Sequence, residues 1–176
     1  KCMANEKTSI ATPNQVIVEG GRMAISSRQM RKGGAMALRQ HMATITVDQA
    51  VGPDIRDLTA ELNRLVSTSG IRDGVLAASV VGSTGSITTI EYEPGVVEDL
   101  KRAVDRLAPP GDNYAHEQAW HDGNGHSHVQ ASLLGPSVQI AVREGRMLLG
   151  TWQQIVVINH DNRARRRPVA VTLTGR

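Results

Sequence analysis

The sequence predicts an α+β fold: a compact β-sandwich of about seven to eight mostly antiparallel strands with two to three helices. Three observations carry this. Strand-like alternation recurs from residue 42 onward, two segments repeat apolar residues at helical spacing, and the C-terminal part holds four strand patterns joined by short turns, as antiparallel meanders do. With no Phe, two Trp and two Tyr in 176 residues, the core must be built from Val, Ile, Leu, Ala and Met. A chain of this length suffices for one domain with a proper core and is short for two.

The elements follow in order. "ATITV" (43–47) alternates Ala43, Ile45 and Val47 with two threonines, a half-buried strand. "PDIRDLTAELNRLVSTSG" (53–70) places Ile55, Leu58, Leu62, Leu65 and Val66 on one helical stripe that Gly70 stops. "GVLAASVVG" (74–82) is a continuous apolar run, which predicts a strand covered on both faces. "SITTIEY" (86–92) alternates again. In "EPGVVEDLKRAVDRLAPPG" (93–111), Pro94 suits a first helical turn, where its missing N–H costs nothing. Val96, Val97, Leu100, Val104 and Leu107 form the buried stripe of that helix, and Pro109-Pro110-Gly111 ends it. "SVQIAV" (137–142), "RMLLG" (146–150), "QQIVVINH" (153–160) and "PVAVTLT" (168–174) read as four strands. Residues 41–176 thus form one domain, preceded by a basic extension at 1–40, in which "QVIVEGGRMAI" (15–25) could close a hairpin over Gly20-Gly21.

Composition bounds the function. No run approaches the ~20 apolar residues that cross a bilayer, and no signal-peptide core is visible, so a cytoplasmic location is expected. Cys2 is the single cysteine, which leaves neither a disulfide framework nor a CxxC metal site. The pI near 9.4 suggests nucleic acid until the charges are placed. Residues 1–40 hold seven Lys/Arg against two Glu, whereas the remainder carries 13 basic and 15 acidic groups. Basicity belongs to the extension and to "RARRR" (163–167), which argues against nucleic acid as the partner.

Chemistry concentrates in "AHEQAWHDGNGHSHVQASLLGPS" (115–137), which holds four of six histidines and Trp120. His116, His121, His126 and His128 admit three readings. Imidazoles suit a divalent metal, with His116 or Asp122 completing a His126-x-His128 pair; on a helix, however, those two rings point to nearly opposite sides. Gly123, Asn124 and Gly125 stand at an expected helix start, whose amides would donate to a phosphate. A polar surface loop is the plain alternative, and four imidazoles beside a glycine step favour a site. "GSTGS" (82–86) is a permissive turn that could offer hydroxyls to a phosphate. Glu93 fits a helix cap, and Glu91 a base or ligand. Trp152 in "GTWQQ" reads as core, and Gln153 as reaching into the site. "RARRR" reads as a solvated loop, with phosphate or RNA contact the lesser reading.

The segments "GSTGSITTIEYEPG", "NGHSHVQASLLGPS", "GTWQQIV" and "RRRPVAVTL" together resemble the YjbQ family, also labelled secondary thiamine-phosphate synthase, from about residue 42 to 175. The resemblance implies a homotrimer with sheets packed around a threefold axis and a site near subunit boundaries. It implies that Glu91, Asp122 and His128 are catalytic and that His116, His126 and His128 hold a divalent metal, zinc or magnesium. Ser83, Thr84, Gly123, Asn124, Gly125, Trp152 and Gln153 would contact a small phosphorylated substrate, beside Gly150. Many members carry a His where this chain has Gly82, which implies that His126 supplies the missing imidazole. The implied activity joins an aminopyrimidine diphosphate to a thiazole phosphate and releases pyrophosphate. A metal-dependent hydrolase of a small phosphorylated compound, and a non-catalytic trimer contacting RNA through Arg163–Arg167, are the alternatives.

Overall fold

The computed structural model describes residues 37–176, and the hairpin expected at 15–25 lies outside them. Eight strands form two antiparallel sheets. The larger has the order β1-β8-β3-β5-β6, from β1 (Arg39–Gln49), β8 (Arg165–Gly175), β3 (Gly74–Val80), β5 (Ser137–Arg143) and β6 (Arg146–Met147). The smaller has the order β2-β7-β4, from β2 (Asp54–Asp57), β7 (Gln154–Asn159) and β4 (Gly85–Ile90). The helices are α1 (Thr59–Ser69), α2 (Pro94–Leu107), the single turn α3 (Glu117–Trp120) and α4 (Gly125–Leu134).

The aliphatic composition is used as two cores separated by the smaller sheet. On one face, Ile155, Val157 and Ile87 meet Leu62 and Val66 of α1 and the inward residues Leu76, Val169, Val171 and Leu173 of the larger sheet. On the other face, Val156 and Ile158 meet Val97 and Leu100 of α2 and Leu134 of α4. Every residue of β7 from Ile155 to Asn159 is therefore buried, which explains its unbroken apolar run. At about 1.5–3 kcal/mol for each large aliphatic side chain taken out of water, such a strand is a major contributor to stability.

Three expectations are corrected. The stripe assigned to one helix at 53–70 divides: Asp54–Asp57 is a strand paired with β7, and α1 starts at Thr59. Asp57 forces the break, because its carboxylate accepts from both the N–H and the hydroxyl of Thr59, an Asx-type turn. β3 is covered on one face only; Val75, Ala77 and Ser79 face outward and Val75 is 44% exposed. "RMLLG" yields only the two paired residues of β6. The second helix forms over the residues expected, with Glu93 as its cap, accepting from the amides of Gly95 and Val96; of its expected buried stripe, however, Leu107 at the last position is 70% exposed.

At Gly74 and Gly175, paired across β3 and β8, an added Cβ would lie 2.2 Å from a neighbouring carbonyl oxygen, so only glycine permits this approach.

Candidate functional site

Three connections meet at one end of the smaller sheet. Val81–Thr84 enters β4, 160–164 leaves β7 for β8, and 121–124 joins α3 to α4. Side chains stitch them together. Thr84 Oγ1 donates to Asp161 Oδ2 (2.8 Å), Asn162 Nδ2 to the Asp122 carbonyl (2.8 Å), and Ser127 Oγ to the His160 carbonyl (2.6 Å). Between them lies a cavity of about 410 Å³. Its walls carry Ser83, Asp122, His128 and three consecutive arginines, Arg165, Arg166 and Arg167.

The floor is a buried charge network. Asp161 is 1% exposed and accepts from Arg165 Nε (2.8 Å) as well as Thr84. Burial pushes its carboxyl pKa upward, but the hydrogen bonds from Arg165 and Thr84 outweigh that and hold it below the usual carboxylate range. Arg167 is 5% exposed; its Nε donates to Asn159 Oδ1 (3.1 Å) and its Nη2 to the Thr84 carbonyl (2.9 Å) and Thr84 Oγ1 (2.6 Å). Sequence reading treated these arginines as a solvated loop and gave Asp161 no role. Position within β8 decides otherwise, since alternation turns residue 167 inward with Val169 and Val171 and residue 166 outward, while residue 165 is exposed at the strand's first position.

The histidine segment divides. His116 and His128 approach with ring centroids 4.6 Å apart, Trp120 stacks on His116 at 6.4 Å, and Asp122 Oδ1 lies 3.5 Å from His116 Nε2. That nitrogen is buried without a hydrogen-bond partner. His126 is elsewhere. Two residues along α4 turn it by about 200° from His128, and it is buried beside Tyr114 and Ser127. Among the described residues no three His, Cys, Asp or Glu side chains are placed to hold a metal ion. The expected set of His116, His126 and His128, for zinc or magnesium, thus does not assemble within this chain, and His126 does not substitute for an imidazole at position 82.

The glycine step is also corrected. The amides of Gly123 and Gly125 donate to the Glu117 carboxylate (2.7 and 3.0 Å), and that of Asn124 to Asp122 Oδ1 (3.1 Å). An anion does sit at the start of α4, but it is the chain's own. Hydrogen bonding, led by the Gly123 amide, holds the Glu117 pKa below the usual carboxylate range. Its stabilising contribution is accordingly present at neutral pH and lost as pH falls through that lowered value. E117A is expected to speed hydrogen exchange at Gly123 and Gly125 and to lower the melting temperature at pH 7. Unchanged protection at both amides would refute the role given to Glu117.

The remaining expected residues sit apart. The register pairs Gly85 with Asn159 and Ile90 with Gln154, so Glu91, Trp152 and Gln153 lie at the far end of the smaller sheet. Five residues of strand separate the two ends, about 17 Å. Gln153 is held there by Thr89 Oγ1 (3.1 Å), and Trp152 is 70% exposed rather than core. Thr84 spends its hydroxyl internally, whereas exposed Ser83 faces the cavity.

An α+β protein of two antiparallel sheets with a basic pocket at the end of the smaller one is the class this architecture defines. Residues 43–176 match the family described as "UPF0047 protein YjbQ-like". A UPF0047 protein of Archaeoglobus fulgidus is 33% identical over 129 residues, 73% of this chain and 98% of that one. YugU of Bacillus subtilis is 30% identical, over 68% of this chain and 89% of its own length. A YbjQ-like protein of unknown function from Sulfolobus solfataricus superposes with a TM-score of 0.76 at 29% identity, covering 80% of this chain and all of that one. The chain belongs to the YjbQ (UPF0047) family.

Proposed function

We propose that the chain binds a small phosphorylated compound in the arginine-lined pocket and catalyses group transfer of the thiamine-phosphate-synthase type. The observation that carries this reading is the convergence of Arg165, Arg166 and Arg167 on a cavity bordered by His128 and Ser83. In that reaction the C–O bond to pyrophosphate breaks while a thiazole nitrogen forms a C–N bond to the same carbon. The chief demand is to neutralise the departing pyrophosphate, which guanidinium groups meet with charge-assisted hydrogen bonds. Trp120, His116 and His128 form an aromatic strip leading to the cavity, suited to a flat heteroaromatic ring. His128, which borders the cavity, would donate to the leaving group, with the His116 ring packed 4.6 Å from it. No metal step enters, because the three expected ligands do not converge.

Assembly as a homotrimer accompanies this proposal. Its support is the outward face of the larger sheet, where Val75, Ala77 and Ser79 adjoin Ala170 and Thr172, small residues that a second sheet could cover. Sedimentation at micromolar concentration is expected to give three times the chain mass, and a monomer would refute it. RNA contact is not favoured, because residues 41–176 carry 13 basic against 15 acidic groups and so present no extended basic surface.

The test is pyrophosphate release from aminopyrimidine diphosphate and thiazole phosphate by purified protein. H128A is expected to lower kcat/KM by roughly a hundredfold or more, the scale of one general acid, and R166A by roughly tenfold to a hundredfold, the scale of one charged donor. E91Q should leave it unchanged. Turnover insensitive to H128A and R166A but lost in E91Q would move the site to the other end of the sheet.

A further inference from the structure

We infer that Arg167 is the anchoring residue for the phosphoryl group in this pocket, presented to it through the gap left by Gly82. The inference rests on the reading of the pocket as an anion site and assigns within it the atom that makes the contact.

First, Arg167 is fixed before any ligand arrives. Its Nε and Nη2 are committed to Asn159 and Thr84, acceptors on β7 and at the start of β4, so the guanidinium plane has no freedom left. Second, its third nitrogen is uncommitted. Nη1 makes no hydrogen bond among the described residues, and Arg167 lines the cavity. A rigid donor with one open edge is what recognition of a phosphoryl oxygen needs, because the ordering cost is already met.

Third, Gly82 opens that edge. Its φ of +147° belongs to the backbone region that side chains rarely adopt, and a Cβ built there would stand 3.0 Å from Nη1. An oxygen accepting from a guanidinium stands at about 2.7–2.9 Å. Any side chain at 82 would thus crowd the donor at the same range as the ligand it should bind. Arg167 cannot swing aside, since its other two nitrogens are held.

Fourth, the guanidinium is short of negative charge. Burial lowers its pKa, and nearby Arg165 lowers it further, while Asp161, 3.7 Å away, offsets this only in part. Asp161 shares its charge with Arg165 and Thr84. An entering phosphoryl group would complete the neutralisation, whereas a neutral ligand would leave the cation underpaired. This favours a phosphate or pyrophosphate moiety over an uncharged one and sets exposed Ser83 beside it as a supplementary donor.

The experiment is calorimetric titration of the full chain with inorganic pyrophosphate. R167K keeps the charge but not the fork, and G82A keeps Arg167 untouched while covering its open nitrogen. Both are expected to weaken binding by roughly tenfold to a hundredfold, the range for loss of one charge-assisted hydrogen bond in a buried setting. Alanine is strained at the φ of Gly82, so a thermal melt of each variant accompanies the titration and shows that both R167K and G82A are folded. Wild-type protein that takes up no pyrophosphate at millimolar concentration would remove both the pocket reading and this inference. Wild-type affinity in G82A would overturn the Arg167 assignment alone and leave the pocket reading in place.

Discussion

D161A is expected to unfold at markedly lower denaturant, a loss of about 3–5 kcal/mol, the usual result of removing one partner of a buried charge pair. The carboxylate of Asp161 gathers Arg165 Nε, Thr84 Oγ1 and the Arg163 amide, and lies 3.7 Å from Arg167 Nη2. Without it, Arg167 stays buried with only neutral acceptors, and the desolvation it has already suffered goes uncompensated. Arg165 is a minor part of this; its side chain is 44% exposed, so R165A should cost no more than about 1 kcal/mol. The double variant D161A/R167M separates the causes. If the stranded cation is the problem, removing it as well should recover part of the lost stability, because replacing both partners costs less than orphaning one. Denaturant midpoints of the three proteins decide the matter: D161A within about 1 kcal/mol of wild type, or a double variant worse than D161A, would sink this account. Since a domain of this size is stable by only about 5–15 kcal/mol, the network beneath the pocket is a structural necessity.

The two-sheet architecture was legible because alternation and helical spacing are local properties. Val96, Val97, Leu100 and Val104 mark α2 whatever lies around them, and Glu93 caps it as expected. What could not be read was which apolar runs are covered twice. "VLAAS" and "IVVIN" look alike, yet β7 lies between two layers while β3 lies in a sheet with one open face. The site failed for a similar reason. Histidine is conspicuous in a sequence and attracted the metal reading, but α4 turns His126 and His128 apart. The arginines seemed a charge run on a loop, although the alternation in "RRRPVAVTL" already turns Arg167 to the same side as Val169 and Val171. Extending the strand pattern one residue upstream of Pro168 would have identified it. Glu117 gave no such signal, since its partners lie six and eight residues away across a turn of positive φ at His121 and Gly123.

The stability of the protein should also fall between pH 6.5 and about 4 through one buried imidazole. His160 is 1% exposed, at the end of β7, with Ser86 Oγ 2.7 Å from its Nε2 and Gln130 Oε1 3.0 Å from its Nδ1. Gln130 Nε2 already donates to the Ala108 carbonyl (2.9 Å) and to Asp105 (3.0 Å), so its oxygen must accept. The network therefore assigns the proton of His160 to Nδ1 and leaves Nε2 to accept from the Ser86 hydroxyl. A second proton would confront that hydroxyl in a site that excludes water. Burial first, then the Arg167 and His126 charges, lower the pKa from 6.5 to about 4. Above pH 6.5 both folded and unfolded chains hold a neutral imidazole and the group contributes no pH dependence. As pH falls below that value the unfolded chain takes up a proton that the folded one refuses. Stability then declines by at most about 1.4 kcal/mol per pH unit, for a total of about 3 kcal/mol near pH 4. Carboxylates titrate in the same range, and comparison with H160Q removes their share. The variant should be less stable at pH 7, because it forfeits at least one of two buried hydrogen bonds. Its deficit should shrink steadily as pH approaches 4, where the wild-type chain has lost the advantage of an uncharged imidazole. Parallel curves of unfolding free energy for the two proteins across that range would show that His160 titrates normally, and that the hydrogen-bonded chain from Ser86 to Asp105 does not hold it neutral.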